Sequence, residues 1–520
     1  MKQFLILLCC FVCLGAGAQR NIDVQHYKYE IELSDLSDAI TGKAVIRVTF
    51  LAPASQLVLD LASVEEDKGM QAFLVQEVGD AKPLVFGHRN NQLFINLNKP
   101  AAAKETRSFE IQYMGTPKDG LIISKNKHGD RTFFADNWPD RAHQWVPCND
   151  VPSDKSAVEF IVTAPGHYRV ISNGLLQSEE MQRDGRRRTH WKEDLPIPTK
   201  VMVIGAARFA VARVDSSYSI PVTAWVYPQD SAKGTYDYAL GDDILKFFTS
   251  YIGPYPYKKL ANVQSKTIFG GMENANAIFY AENTVTGNRR SEALIAHEIV
   301  HQWFGNTATE KSFAHLWLSE GFATYLTDIY IEQKYGVDSF RNRMQQEKMQ
   351  VIRFALENEL PVVDTLSSYM DLLNANSYQK GAWVLHMLRH EVGDKNFQKI
   401  VQTYYSQYRH SNADTRDFQR VAETIAGREL GWFFDQWLYR PGVPVLDIEM
   451  KMKDKELKIE INQGKHQFRF PLEILVIAED GEATTHRIEV KGKETEFKLK
   501  TKGPVKVSFD PEKKLLYHMK

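Results

Sequence analysis

From Asn21 to about Phe209, apolar and polar residues alternate in short runs, as in Tyr27-Lys-Tyr-Glu-Ile-Glu-Leu and Lys43-Ala-Val-Ile-Arg-Val-Thr-Phe. A period of two sends successive side chains to opposite faces of a strand. Turns rich in Gly, Asp, Asn and Pro separate the runs, so the pattern predicts an antiparallel β-sandwich or saddle. Two segments break the alternation: Gly115-Thr-Pro-Lys-Asp-Gly, and Asp136-Asn-Trp-Pro-Asp-Arg through Pro147-Cys148-Asn-Asp-Val-Pro. Around residues 210–235 the pattern changes, and from Asp242 to Trp437 helical spacing dominates. Arg440-Pro-Gly-Val-Pro stops the helices, since proline neither donates a backbone hydrogen bond nor tolerates a helical residue before it. From Leu446 alternation returns, as in Leu457-Lys-Ile-Glu-Ile and Phe497-Lys-Leu-Lys, and predicts a second, smaller β-sandwich. The fold class is α+β, with an N-terminal β domain over 19–212, a mainly helical domain over 213–440 and a C-terminal β-sandwich over 441–520. No internal repeat or low-complexity linker interrupts it.

Within the helical text, residues 293–305 organise the rest. Leu294, Ile295, Ile299, Trp303 and Phe304 recur at helical spacing, and Gly305 stands where such a helix would end. Four residues turn a helix by about 400°, so His297 and His301 project from one face, roughly 6 Å apart along the axis. Two imidazoles so placed can share one zinc ion, with Glu298 beside them to act on the attacking water. The competing reading is two surface histidines on an amphipathic helix. Eighteen residues separate His301 from Glu320, inside Leu316-Trp-Leu-Ser-Glu-Gly-Phe-Ala-Thr-Tyr-Leu, again a helical pattern. Catalytic zinc takes three protein ligands and leaves one position open, and two His with one Glu is a set used for peptide hydrolysis. His297, His301 and Glu320 are therefore the expected ligands of one Zn²⁺.

Upstream lies Gly270-Gly271-Met272-Glu273-Asn274. This segment, the His-Glu-x-x-His pair and the distant Glu together resemble the aminopeptidase N family of zinc metallopeptidases, which includes the leukotriene hydrolases. The resemblance covers most of residues 22–510. It implies a thermolysin-like catalytic domain and places a substrate-binding role on Gly270 through Asn274. Glu273 would fix the substrate's free α-ammonium and set the first peptide bond over the metal. The glycines before it leave room for a substrate to pair with that strand. A Tyr in a Tyr-x-Lys-Gly segment stabilises the oxyanion in family members, and Tyr378-Gln379-Lys380-Gly381 matches it. Tyr251-Ile-Gly-Pro-Tyr-Pro-Tyr-Lys-Lys-Leu resembles the loop that enters the family's catalytic domain. Residues 136–152 resemble the family segment along the substrate cleft, in which a Gln helps to bind the amine. Here that Gln is absent, and Asn137 stands as the candidate substitute. Asp328, eight residues beyond Glu320, reads either as a partner behind the metal ligands or as an exposed carboxylate. Many members continue into a large C-terminal helical domain, and this chain shows none.

Composition narrows the alternatives. With 64 basic and 65 acidic side chains, no charge excess argues for nucleic acid or for disorder. Residues 1–18 read as a secretory signal, with Lys2, an apolar run from Phe4 to Leu14 and an Ala-x-Ala site ending at Ala18. No later stretch is apolar and long enough to anchor the mature chain in a membrane. Cys9, Cys10 and Cys13 leave with the signal, and Cys148 reads as a small buried residue rather than a nucleophile partnered by His143. His386 and His390 read as core and surface histidines, and Arg186-Arg187-Arg188 as a solvated hairpin arm. The expectation is an exported zinc aminopeptidase acting on peptides with a free N-terminus, with Glu298 as general base. The alternatives are a zinc endopeptidase, an epoxide hydrolase of the same fold, or an inactive binding relative.

Overall fold

The computed structural model describes residues 21–214, 220–453 and 455–520. The expected export signal, with Cys9, Cys10 and Cys13, lies outside the described residues. The alternation near the N-terminus becomes a seven-stranded sheet. Its strands lie in the order Leu175–Met181, Arg186–Pro198, Lys155–Pro165, Ile22–Glu32, Ile40–Phe50, Thr106–Thr116 and Gly69–Glu77. Ile40–Phe50 shows why: Ile40, Ala44, Ile46, Val48 and Phe50 are all buried, with less buried residues between them. The sheet is antiparallel apart from one pair, Ile22–Glu32 with Lys155–Pro165, which run parallel. Parallel neighbours need a long crossover, and the chain between them supplies one by building most of the rest of this domain. A four-stranded and a three-stranded sheet pack with it. Arg186 and Arg187 in the hairpin pair with Asp184, Glu32 and Glu179.

The middle of the chain opens on a five-stranded sheet in the order Ala210–Val214, Val222–Val226, Leu260–Ser265, Ala277–Ala281, Gly271–Met272. Gly271–Met272 is therefore an edge strand, bonded only to Ala277–Ala281. Helices α1 (Ser231–Tyr238) and α2 (Leu240–Tyr251) fall between Val222–Val226 and Leu260–Ser265, and α3 (Glu292–Val300), α4 (Trp317–Tyr335), α5 (Val337–Glu357), α6 (Gly381–Val392), α7 (Asp394–Tyr408), α8 (Thr415–Ala426) and α9 (Gly431–Leu438) follow the sheet. Helix α8 shows the local logic at both ends. Asp414 and Asp417 form a reciprocal capping box, and Gly427 closes the helix in the left-handed region at φ 66°. Around α3 and α4 the core is aromatic: Phe304, Phe322, Tyr404 and Phe418 are buried against one another, and Trp303 packs on Phe248 and Tyr255.

The N-terminal sheets are bolted to this helical half through two lysines, Lys200 buried and Lys155 half-buried. Lys200 Nζ lies 2.5 Å from Glu310 Oε1, with both side chains inaccessible. Lys155 donates to the carbonyls of Thr307 (2.7 Å) and Ser411 (2.8 Å). Charged groups are buried only when so satisfied, so these contacts fix how the two parts meet and hence the walls of the cleft between them. After Leu438 the chain forms a four-stranded and a three-stranded sheet, the C-terminal β region. Among the described residues, no helix is long and apolar enough to cross a membrane.

Candidate active site

Helix α3 carries His297 and Glu298, and His301 follows at its C-cap, still in a helical conformation. The expected common face is formed: the two imidazole Nε2 atoms stand 3.1 Å apart. Glu320, near the start of α4, brings Oε2 to 3.3 Å from each of them. Gly305, at φ 108°, makes this approach possible, because a Cβ there would collide with Ser319 Oγ at the head of α4. Ligand atoms about 2.0–2.1 Å from a tetrahedral zinc stand roughly 3.3 Å apart, so the three atoms already span one face of such a site. His301 Nδ1 faces the Phe304 carbonyl at 3.1 Å. That bond fixes the tautomer in which Nε2 keeps its lone pair for a metal. Three buried carboxylates, Glu273, Glu298 and Glu320, crowd this spot, and the charge of a divalent cation answers them. The donor set fits zinc.

Glu298 points toward the Gly270–Asn274 segment. A Cβ at Gly271 would collide with Glu298 Oε1, so this glycine makes the space that the carboxylate occupies. Burial pushes the Glu298 carboxyl well above the usual carboxylate range, with Glu273 and Glu320 adding to the rise and His301 opposing it. Glu273 is 5% exposed, its Oε1 has no hydrogen-bond partner, and burial raises it too. Its backbone is held from two sides: Gln302 Nε2 and Asn306 Nδ2 both donate to the Glu273 carbonyl, at 2.9 and 2.6 Å. Met272 is buried under the same strand, and the Asn274 side chain is fully buried with neither polar atom bonded.

Tyr378 lies in a π-helical turn, Asn376–Lys380, that runs directly into α6. Single π turns inside helices occur often at functional sites because they re-aim a side chain. The turn reaches the metal site through a glycine pair, since a Cβ on Gly321 would sit 2.9 Å from the Gly381 backbone. The Tyr378 ring consequently stacks on His297, with centroids 6.0 Å apart and planes at 13°.

A cavity of about 460 Å³ joins these groups. Gly270 to Glu273, His297, Glu298, His301, Glu320 and Tyr378 all line it. It also exposes residues without a sequence signal: Trp138, Phe269 and, on α5, Arg343, Gln346, Glu347 and Gln350. Two expectations are corrected. Asn137 is fully buried, donates to the carbonyls of Thr199 (3.1 Å) and Met202 (2.6 Å) and accepts from Trp145 Nε1 (2.8 Å). Its amide is spent on folding the loop, and its neighbour Trp138 faces the cavity instead, edge-on between Phe269 and Phe313. Asp328 is neither exposed nor bonded to a metal-site residue. It is fully buried and accepts from Arg343 Nε at 2.5 Å. Cys148 is buried as expected, and His143 turns its ring to Asp150 at 2.9 Å. His386 is a core residue and His390 is exposed.

Residues 236–437 match the family model of the peptidase family M1 domain, and residues 23–201 match that of the peptidase M1 N-terminal domain. Aminopeptidase M1-C of Oryza sativa subsp. japonica is 26% identical over 465 residues, which are 83% of this chain and 51% of the relative. Glutamyl aminopeptidase of Sus scrofa is 27% identical over 60% of this chain and 35% of its own length. Probable aminopeptidase 2 of Sulfurisphaera tokodaii is 24% identical over 89% and 60%. The chain spans about a third to three fifths of the length of these relatives. Among solved structures, aminopeptidase A of Legionella pneumophila, in complex with aspartic acid, superposes with a TM-score of 0.83 at 16% identity. The match covers 96% of this chain and 60% of that one, and it shows a shared fold.

Proposed function

Because the chain belongs to peptidase family M1, we propose that it is an exported, zinc-dependent aminopeptidase that removes single residues from the N-terminus of peptides. The observation that carries this reading is the Glu273 carboxylate: buried, with Oε1 unbonded, and beside the His297–His301–Glu320 set. A buried carboxylate without a partner is costly, and a substrate's α-ammonium is the partner that would satisfy it. With the ammonium there, the first peptide bond falls at the metal site. The outer edge of Gly271–Met272 supports the same placement, because an extended substrate can add to it as a further strand. Residues 1–18 support export.

Zinc held by His297, His301 and Glu320 would supply Lewis acidity at the scissile carbonyl and lower the pKa of the attacking water. Glu298 takes the proton of that water and passes it to the departing amine. The Tyr378 hydroxyl donates to the oxygen that gains charge as the carbonyl becomes tetrahedral. Glu273 holds the ammonium, and the Trp138 and Phe269 rings wall the space beside it.

One peptide, presented free and N-acetylated, tests the reading, with products identified by mass and with chelator and zinc add-back as the metal control. Acetylation removes the cation and adds bulk at Glu273, so the free peptide should be trimmed stepwise and the acetylated one left intact. Internal cleavage of the acetylated peptide at a similar rate would show an endopeptidase. No cleavage of either by the zinc-loaded protein would show an inactive relative.

A further inference from the structure

The far wall of the cavity has a use that the catalytic groups do not account for. Arg343, Gln346, Glu347 and Gln350 follow the i, i+3, i+4, i+7 spacing that puts them on one face of α5, and all four line the cavity. Beyond Glu320 the cavity lining continues along α4 through Thr324 and Thr327 to Arg343, which is bonded to Asp328 on the same helix, whereas Glu273 groups with Glu298 and His301. On the aminopeptidase reading, on which this inference rests, a substrate whose ammonium is at Glu273 sends its departing part toward α5.

Arg343 is built to meet something there. Its Nε donates to the fully buried Asp328 at 2.5 Å, and Nη2 stands 3.9 Å from Glu347 Oε1. Among the described residues, neither terminal guanidinium nitrogen makes a hydrogen bond, and the side chains of Gln346 and Gln350 make none. The guanidinium side chain is 32% exposed, while those of Asp328 and Glu347 are 0% and 8%. A substrate therefore meets the guanidinium before it meets either carboxylate. Asp328 Oδ2 and Glu347 Oε2 are buried without a donor. Burial raises both carboxyls, Asp328 to about 6, and the Arg343 charge opposes the rise in each. The arrangement is an arginine clamped through one edge, with its other edge presented to the cavity, the geometry that suits a carboxylate.

We propose that Arg343 is a specificity residue that receives a carboxylate on the departing part of the substrate, carried by the side chain after the scissile bond or by the peptide's own C-terminus. Three dipeptides separate the sources: Leu-Asp-amide carries only the side-chain carboxylate, Leu-Ala only the terminal one, and Leu-Ala-amide neither. Leu-Lys-amide tests the opposite charge. Wild-type kcat/KM for at least one carboxylate-bearing substrate should exceed that for Leu-Ala-amide by about tenfold, and Leu-Lys-amide should be poorest. In Arg343→Met the advantage should fall to about one, and Arg343→Lys, which keeps the charge but not the fork, should fall between. Ratios within each enzyme cancel any general loss of activity or folded protein. Equal rates on all four in the wild type, a preference for Leu-Lys-amide, or an unchanged ratio in Arg343→Met would overturn the assignment. Failure to trim any of the four, or leucine anilide, would instead sink the aminopeptidase reading itself.

Discussion

Gln302 donates its amide to the carbonyl of Glu273 at 2.9 Å, and its own amide oxygen accepts from the backbone of Asn276 at 2.7 Å. The residue that follows His301 thus grips the chain from Glu273 to Asn276. Asn306 adds a second donor to the same carbonyl, and Asn276, held at φ 52°, is tied by its side chain to Glu193 and Lys259. The group that would anchor the ammonium is therefore indexed to the helix that would hold the metal. On the proposed function, these amides and not the loop alone would set the spacing between ammonium and scissile bond.

Gln302→Leu removes both bonds and leaves the Asn276 N–H buried without an acceptor. A lost buried hydrogen bond costs about 1–3 kcal/mol, so the loop should loosen while the zinc ligands stay in place. The expected result is full zinc content with KM for free-amine substrates raised about tenfold or more. Gln302→Glu, which can still accept from Asn276, should recover part of the loss. Unchanged KM in both variants would reduce the contact to packing.

Glu298→Gln keeps the shape of the site and removes only the proton acceptor. Zinc content should stay at the wild-type level and kcat should drop by several orders of magnitude. His297→Ala or Glu320→Ala should instead lower zinc occupancy, measured by metal analysis after dialysis. Near-normal turnover in Glu298→Gln would refute its assignment as the base.

Much of this was legible in the sequence. His297, His301 and Glu320 were found by spacing because a helix turns fixed spacing into a fixed face, and the alternating runs became strands for the same reason. Asn137 and Asp328 could not be placed so. Whether a side chain in an irregular loop points to a cleft or bonds its own backbone depends on contacts such as those with Thr199 and Met202, more than sixty residues away. Asp328 is buried by Arg343, which lies on the next helix. The parallel pair of strands was also beyond reach, because alternation reports faces and not partners.

Lys380 offers a prediction from burial alone. It is fully buried, donates to the Gly442 carbonyl at 2.9 Å, and desolvation lowers it to about 7 from its ordinary 10.5. A lysine lowered in the folded state binds fewer protons there than in the unfolded chain between pH 7 and 10.5. Its cost is therefore complete below pH 7 and shrinks as pH rises toward 10.5. Lys380→Met should raise stability to denaturant most at pH 6, with the gain narrowing steadily by pH 9. A difference that does not vary with pH would mean that the lysine stays charged in the fold.

Tyr378 holds a position that is costly to build. A π turn, a glycine-to-glycine crossing of α4 with the start of α6, and a ring stacked on His297 are all spent on placing one phenol. Burial raises its hydroxyl well above the ordinary 10, with Glu320, Glu273 and Glu298 adding to the rise, so it remains a donor throughout the working pH range. A donor aimed at developing negative charge acts on the transition state more than on the bound substrate, whose carbonyl carries less charge. Tyr378→Phe keeps the stacked ring and deletes only the hydroxyl. It should cost about 3 kcal/mol of transition-state stabilisation, read as a fall of about two orders of magnitude in kcat with KM little changed. Zinc content and thermal stability should match the wild type. If kcat is unchanged, the ring is there to hold His297, and some other donor meets the oxyanion.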